Sequence, residues 1–216
     1  MGEKDQVTGA SGHRDRGGAF EAPSRYVSRG GEKLRHALDH FGLDVAGLVC
    51  ADLGASTGGF TDCLLQAGAA RVYAVDTAYG QLAWKLRNDP RVVVMERTNA
   101  LHAEPTPGGV DLVVIDLGWT RQSLAIPAAL RWLRAGGRIV TLIKPHYEID
   151  RADFSRLARG GVLPDDEGEK IANAVVEMLR GAGHTVATLT RSPIRGGGKG
   201  GAGNAEWLAL VTTRPS

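Results

Sequence analysis

The chain has 216 residues, of which 43% are hydrophobic and 23% are charged, a composition typical of a globular domain rather than a disordered chain. Its 30 glycines, roughly twice the average share, follow no Gly-X-Y period, so a collagen helix is excluded. Cys50 and Cys63 are too few for a disulfide framework, no secretory signal opens the chain, and no apolar run reaches the ~18 residues of a membrane helix. We therefore expect a cytoplasmic protein without membrane association. The net charge of +2 requires any nucleic-acid surface to be local.

Residues 1–24 lack apolar periodicity, which predicts a disordered tail before one folded domain at residues 25–216. The domain opens with apolar residues at helical spacing, namely Leu34, Ala37, Leu38 and Phe41. Short β-rich runs then alternate with helical segments. We predict strands at residues 48–53, 71–76, 91–96, 110–116, 138–144, 184–189 and 206–211, and helices at residues 58–66, 81–87, 123–134 and 165–179.

This alternation is typical of an α/β fold with a doubly wound, mostly parallel sheet, here of seven strands. Only a glycine-rich loop separates the last two strands, which predicts an antiparallel hairpin at one edge. Gly136 and Gly137 are expected to close the helix at residues 123–134. The helix at residues 165–179 is expected to turn four apolar side chains toward the core: Ile171, Val175, Met178 and Leu179.

A glycine-rich segment begins at Asp52, near the end of the first strand, and reads Asp-Leu-Gly-Ala-Ser-Thr-Gly-Gly-Phe. In a doubly wound sheet, ligands bind beyond the carboxyl ends of the strands near this turn, where glycine lets the backbone approach a ligand. Asp76 ends the next strand and can accept hydrogen bonds from a ribose diol. Asn99 could face an adenine edge or could be an ordinary turn residue. The spacing departs from Gly-x-Gly-x-x-Gly, which favours S-adenosylmethionine over NAD, with a purely structural turn as the alternative.

The candidate cofactor-binding residues are therefore Asp52, Gly54, Ser56, Thr57, Gly58, Gly59, Phe60, Asp76, Asn99 and Asp116.

Two charged residues close apolar strands, Asp116 after the fourth and Lys144 after the fifth. A lysine at the end of a buried strand is costly unless it lines a cleft. Because these strands are expected to be neighbours, the two side chains would lie side by side near the glycine-rich turn. Lys33 on the first helix and Glu206 at the start of the last strand could join them. A structural ion pair is the alternative to a catalytic pair.

Long blocks of the sequence carry a resemblance. They are Tyr-Val-Ser-Arg-Gly-Gly-Glu-Lys-Leu from Tyr26, the glycine-rich turn from Asp52, Tyr-Gly-Gln-Leu-Ala-Trp-Lys-Leu-Arg from Tyr79, Glu-Arg-Thr-Asn-Ala from Glu96, and Leu-Ile-Lys-Pro from Leu142. The chain resembles the TlyA (hemolysin A) family of FtsJ-like RNA ribose methyltransferases over nearly all of residues 25–216.

This resemblance implies a Rossmann-like class I methyltransferase fold, S-adenosylmethionine as the cofactor, and methylation of a cytidine 2′-hydroxyl in ribosomal RNA, either free or in a ribosomal subunit. It also implies a catalytic tetrad that maps onto Lys33, Asp116, Lys144 and Glu206. No metal site is expected. The family's N-terminal S4 RNA-binding domain has no counterpart before residue 25, and Asp-Leu-Gly-Trp from Asp116 replaces the family's Asp-Val-Ser-Phe.

Basic side chains supply most of the affinity of proteins for RNA, and the candidates here are Arg25, Arg29, Arg35, Arg195 and Lys199. Trp119 and Tyr147 could stack on an extruded base. Three other functions remain open: a same-fold methyltransferase acting on a small molecule, a non-catalytic RNA-binding protein, and an NAD-dependent oxidoreductase. No amphipathic segment is suited to membrane lysis.

The role of Lys144 has two possible forms. A neutral Lys144, with its pKa lowered by the sulfonium and by Lys33, could accept the hydroxyl proton. A charged Lys144 could instead orient the hydroxyl oxygen.

Overall fold

A computed structural model describes residues 25–197 and 203–212 of the chain. The predicted disordered tail at residues 1–24 lies outside the described residues and stays a prediction. Within the described part, seven strands form one sheet in the order β3-β2-β1-β4-β5-β7-β6. The strands are β1 (Val49–Leu53), β2 (Arg71–Val75), β3 (Val92–Met95), β4 (Val110–Ile115), β5 (Leu133–Ile143), β6 (Thr185–Arg191) and β7 (Trp207–Thr212).

Helices cover both faces of this sheet, which confirms the doubly wound α/β fold. They are α1 (Gly30–His40), α2 (Gly59–Gln66), α3 (Trp84–Arg87), α4 (Gln122–Leu130), α5 (Pro145–Glu148), α6 (Arg151–Leu157) and α7 (Asp165–Gly181). On one face α1 and α2 bury side chains such as Leu34 and Leu64, and on the other α4 and α7 bury Ile126 and Val176. No helix in the described residues is long and apolar enough to cross a membrane.

The direction of the strands decides where a site can form. Strands β1 to β5 pair in parallel, so their carboxyl ends meet at one edge of the sheet. β7 lies between β5 and β6 and runs antiparallel to both. The pairing of β6 with β7 confirms the predicted hairpin. Because Ile143 of β5 pairs with Trp207 of β7, the start of β7 lies beside the carboxyl end of β5. This register brings Glu206 next to Lys144.

Two details of the predicted helices are wrong. The helix predicted at residues 123–134 ends at Leu130, and β5 begins at Leu133, so Gly136 and Gly137 lie inside a strand. Trp132 is completely buried and its carbonyl accepts a hydrogen bond from the Val110 amide, which draws the chain into the sheet.

In α7, Val175 and Leu179 are buried as predicted, but Met178 is 39% exposed and Ile171 is only partly buried. Ala172 and Val176 take their places in the core. Gly168 accounts for this difference in the buried face of α7. A Cβ at Gly168 would lie 2.9 Å from the Trp207 ring, so this glycine lets its own face of the helix approach the sheet. The helix face with the smallest side chains therefore packs closest to the sheet.

Two short helices, α5 and α6, were not predicted. α5 begins with Pro145 directly after Lys144, and α6 is capped by Asp150, whose carboxylate accepts a hydrogen bond from the Asp153 amide at 2.8 Å. A proline at the first helical position and an aspartate cap are recognisable signals of a helix start. α5 follows the carboxyl end of β5 directly, and its residues His146 and Tyr147 line a cavity at that edge of the sheet.

Candidate active site

Gly54 allows the ends of β1 and β4 to approach each other. Its φ is +95°, and a Cβ at this position would lie 2.6 Å from the carbonyl oxygen of Asp116. Any larger residue would therefore have to separate the two strands at the point where the glycine-rich turn leaves the sheet. The turn then reaches β2, where both oxygens of the Asp76 carboxylate accept backbone hydrogen bonds at 2.7 Å, from the amides of Ser56 and Ala78.

Three cavities open at this edge of the sheet. The large cavity, of about 950 Å³, lies over β1, β2 and β4 and is lined by residues that include Gly54, Ser56, Asp76, Asn99 and Trp119. The tetrad cavity, of about 400 Å³, lies between α1, α5 and the start of β7. The arginine cavity, of about 490 Å³, lies between the starts of α1 and α2 and includes Arg29 and Arg195. Asp116 lines all three, so it stands at their junction.

The tetrad cavity contains all four residues of the proposed tetrad, arranged as two ion pairs. The Lys144 Nζ lies 2.5 Å from Oδ1 of Asp116 and also donates a hydrogen bond to the Leu117 carbonyl at 3.2 Å. The Lys33 ammonium donates to the carboxylate of Glu206, and both of these side chains are buried. Residues separated by as many as 173 positions in sequence therefore share one small space.

The electrostatics of the tetrad favour a charged Lys144. Burial lowers the pKa of Lys144, but the contact with Asp116 and the charge of Glu206 outweigh this effect, so the pKa is raised above its ordinary value. Lys33 is paired with Glu206, and in this arrangement its charge does not bring the pKa of Lys144 below the ordinary value. Burial raises the pKa of Glu206, while Lys33 and Lys144 oppose this increase.

The predicted cofactor residues divide into two groups. Gly54, Ser56, Asp76, Asn99 and Asp116 line the large cavity. Thr57, Gly59 and Phe60 line the arginine cavity instead.

Asp52 and Gly58, also predicted to bind the cofactor, are both buried and line none of these three cavities. The Asp52 carboxylate accepts a hydrogen bond from the Thr61 hydroxyl at 2.7 Å, while its Oδ1 has no partner in the described residues. Burial raises the pKa of Asp52 to about 7. Gly58, with a φ of +100°, caps the start of α2. Asp52 and Gly58 therefore support the turn from the core side, while Ser56 and Thr57 between them are exposed.

The candidate RNA-binding residues are not equivalent. Arg29 and Arg195 line the arginine cavity, and Arg195 is held by both oxygens of Asp165 at 2.7 Å. Arg35 is instead paired with Asp39 on the exposed side of α1. Arg25 is exposed, with its guanidinium 5.7 Å from the Tyr26 ring. Lys199 lies outside the described residues.

Among the polar side chains that line the tetrad cavity, those of His146 and Asn204 were not predicted from the sequence as site residues. Trp119 and Tyr147, which it did identify, form an edge-to-face pair with ring centroids 4.8 Å apart. Trp119 is 72% exposed and has a φ of +53°. Glu148 of α5 holds the start of α4, three residues after Trp119, because its carboxylate accepts a hydrogen bond from the Gln122 amide at 3.0 Å. The polar residue pattern Lys-Pro-His-Tyr-Glu from Lys144 was the available signal.

The fold is the Rossmann-like fold found in methyltransferases. Solved structures of an S-adenosylmethionine dependent methyltransferase from Mesorhizobium loti and of the N-methyltransferase NodS from Bradyrhizobium japonicum share the fold. The first is 15% identical with a TM-score of 0.58 and covers 82% of this chain and 96% of its own. The second, in complex with S-adenosyl-l-homocysteine, is 16% identical with a TM-score of 0.56 and covers 87% and 88%.

The family follows from the sequence itself. Residues 26–200 match the FtsJ-like methyltransferase family, and the chain belongs to it. The chain is 44% identical over 195 residues to the Mycobacterium tuberculosis protein named 16S/23S rRNA (cytidine-2′-O)-methyltransferase TlyA, covering 88% of this chain and 70% of that one. It is 42% identical to hemolysin A of Brachyspira hyodysenteriae, covering 86% and 76%. A solved structure from Streptococcus thermophilus is 41% identical with a TM-score of 0.80, covering 90% and 70%.

Proposed function

We propose that the protein transfers a methyl group from S-adenosylmethionine to the 2′-hydroxyl of a cytidine in ribosomal RNA, in the cytoplasm. One observation carries this proposal: Lys33, Asp116, Lys144 and Glu206 line one cavity that meets the large cavity at Asp116. The substrate follows from the relatives, since the 44% identical protein is named for cytidine 2′-O-methylation of 16S and 23S rRNA.

The large cavity has groups that suit S-adenosylmethionine. Gly54 leaves space where a side chain would obstruct the turn, so a ligand can lie against the backbone. Each oxygen of Asp76 accepts one backbone hydrogen bond and keeps a second lone pair for a ribose hydroxyl. The Asn99 Oδ1 is used by the Leu101 amide, so its side-chain amide group is the part that remains for an adenine edge. When bound, the cofactor supplies the electrophilic methyl group.

The residues of the tetrad then prepare the acceptor. Lys144 is held by Asp116 and the Leu117 carbonyl, and as a charged ammonium with three donors it can hydrogen-bond the 2′-oxygen and fix the direction of attack. We assign the Asp116 carboxylate as the acceptor of the hydroxyl proton, because it lies at the junction of the cavities. Lys33 and Glu206 neutralise each other and form the opposite wall, where the charge of Glu206 keeps Lys144 protonated.

The arginine cavity suits the RNA backbone. The Arg29 guanidinium has no hydrogen-bond or ion-pair partner among the described residues, and Arg195 lies in the same cavity. Phosphate groups bind such positions with an affinity that decreases with salt. Trp119 and Tyr147, at the mouth of the large cavity, supply aromatic surface on which an extruded base can stack.

The test is methyl transfer from tritiated S-adenosylmethionine to three acceptors: naked ribosomal RNA, isolated ribosomal subunits, and a protein-free pool of small molecules. We expect labelled RNA from the first or second acceptor, with the label in the ribose. Label only in the small-molecule pool would favour a same-fold enzyme with another substrate. No transfer at all, together with RNA binding, would favour a non-catalytic RNA-binding protein.

A further inference from the structure

Lys144 lies in a segment that one residue, Gln122, holds at both ends. The Gln122 side chain donates a hydrogen bond at 3.2 Å to the carbonyl of Leu142, which precedes Lys144. The Gln122 backbone amide donates at 3.0 Å to the carboxylate of Glu148, which follows Lys144. These two hydrogen bonds close a ring through Gln122 and residues 142–148, and Lys144 is one of the residues that the ring encloses.

The side chain of Gln122 is fixed in a single orientation inside the protein. Gln122 is only 3% exposed, and its Oε1 accepts a hydrogen bond at 2.7 Å from the hydroxyl of Thr141, which is completely buried. A backbone carbonyl can only accept, so the amide nitrogen of Gln122 has to face Leu142. Because β4 and β5 pair only as far as Thr141, the Gln122 side chain adds a contact to β5 one residue beyond the end of that pairing.

Glu148 couples the start of α4 to α5. The first amides of a helix have no partner within the helix, and a carboxylate beside them also interacts favourably with the helix dipole. Arg121, the residue before α4, makes no such hydrogen bond with its own side chain in the described structure. The carboxylate of Glu148 accepts from the first amide of α4 instead, so neither helix can shift without the other.

The same residue limits the movement of the loop that carries Asp116. The Asp116 amide donates a hydrogen bond to the Leu53 carbonyl at 3.0 Å, which fixes the beginning of the loop, and Gln122 fixes its end. Within the loop, the Leu117 carbonyl accepts a hydrogen bond from the Lys144 ammonium. Gln122 therefore holds both segments that meet in the ion pair of Lys144 with Asp116.

We propose that Gln122 and Glu148 are positioning residues for methyl transfer, which act by holding the Lys144 ammonium in its place. Neither of them lines any of the three cavities at this edge of the sheet, so neither is a catalytic residue. This inference rests on the proposed function and adds the side chains that fix the geometry of its central lysine.

The experiment measures kcat of the full chain at saturating S-adenosylmethionine and ribosomal RNA, so that a change in the affinity for either does not affect the result. Glu148→Ala removes the acceptor of the Gln122 amide, whereas Glu148→Gln keeps an oxygen for it. Asp150→Ala is the matched control. Its carboxylate likewise accepts the amide of a residue at a helix start, Asp153 of α6, and it lines none of the three cavities.

We expect Glu148→Ala to lower kcat by at least about tenfold, because a displacement of about 1 Å at a reacting group is enough for such a loss. Glu148→Gln should keep most of the wild-type kcat. Asp150→Ala should keep the wild-type kcat although it also loses a helix cap. Thermal unfolding of the three variants confirms that each is folded at the temperature of the assay.

A second variant tests the contact of Gln122 with β5. Gln122→Met combined with Thr141→Val replaces a buried hydrogen-bonded pair by apolar side chains of similar size, an exchange that can be nearly neutral for stability. It removes the hydrogen bond to the Leu142 carbonyl, so kcat should decrease here as well.

Three results would overturn the inference while the proposed function stands: wild-type kcat in Glu148→Ala or in the double variant, an equal decrease of kcat in Asp150→Ala, or no recovery in Glu148→Gln. If the wild-type protein methylates no ribose in ribosomal RNA, the proposed function fails and this inference fails with it.

Discussion

The large cavity and the tetrad cavity meet at Asp116 but are built in different ways. The large cavity lies over parallel strands, and its lining comes from the segments at the ends of β1, β2, β3, β4 and β5. Backbone amides fix its main acidic residue, Asp76. The tetrad cavity lies where the sheet changes direction, and two ion pairs between distant segments hold its side chains.

The two kinds of cavity differ in how strongly they depend on individual side chains. A cavity formed by backbone at the strand ends can bind the same cofactor with many surrounding sequences. A cavity formed by paired side chains depends on each partner, because removing one leaves the other charge buried. We therefore expect substitutions in the tetrad to affect catalysis and stability more than substitutions at the rim.

Lys144→Ala should have the largest effect. It removes the group that orients the 2′-oxygen, so we expect methyl transfer to decrease by about a thousandfold or more. The S-adenosylmethionine Kd should stay within about twofold of wild type, because Lys144 reaches the large cavity only at its border with the tetrad cavity. Single-turnover transfer and isothermal titration measure the two quantities. Lys170→Ala, at an exposed lysine of α7, is the control, and full activity of Lys144→Ala would sink the assignment.

Lys33→Met should have the next largest effect. It leaves the carboxylate of Glu206 buried without its partner, which should lower the free energy of unfolding by about 3 kcal/mol. The double variant Lys33→Met with Glu206→Gln should recover most of this loss but no activity. Urea denaturation measures the stability. As a control, Lys170→Met breaks an exposed ion pair with Glu167 and should lower the free energy of unfolding by less than about 1 kcal/mol. Equal losses for Lys33→Met and Lys170→Met would contradict the claim that the tetrad depends on its buried ion pairs.

Asp52 predicts a pH dependence of stability. Its pKa is about 7 in the folded chain, raised by burial from an ordinary value of 3.8, so the folded state holds a proton that the unfolded state releases. The resulting stabilisation is present below about pH 4 and is lost as the pH rises through about 7. Asp52→Asn should therefore gain stability relative to wild type between about pH 5 and pH 8. Denaturation curves at both pH values test this, with the exposed Asp44→Asn as control; a pH-independent difference would refute it.

The smallest effects are expected for substitutions of Arg29 and Arg35, and only the substitution of Arg29 should change RNA affinity. Arg29→Ala should weaken RNA binding severalfold and reduce the slope of log K against log salt concentration by about 1. Arg35→Ala should leave RNA affinity unchanged, because its guanidinium is paired with Asp39 away from the cavities. Filter binding over a salt series measures both, and equal effects of the two variants would show that the arginine cavity is not an RNA contact.

The sequence was sufficient to predict the parts of the molecule that are local in the chain. The alternation of strands and helices predicts the sheet, and the segment from Asp52 together with Asp76 predicts the large cavity. The carboxyl ends of parallel strands meet by geometry, so Asp116 and Lys144 could be placed side by side.

Other features depend on contacts that no local pattern records. The position of Glu206 depends on the pairing of Ile143 with Trp207, and the burial of α7 depends on the fit of Gly168 against Trp207. Asn204 escaped sequence reasoning because its orientation is fixed by the distant Leu163 amide.

The most direct measurement of the central claim is the identity of the methylated nucleoside. Ribosomal RNA incubated with the wild-type protein and S-adenosylmethionine would be digested to nucleosides and analysed by mass spectrometry. The proposed function predicts 2′-O-methylcytidine, and its absence after incubation with Lys144→Ala. A methyl group on a base, or no new methylated nucleoside from either free RNA or ribosomal subunits, would contradict it.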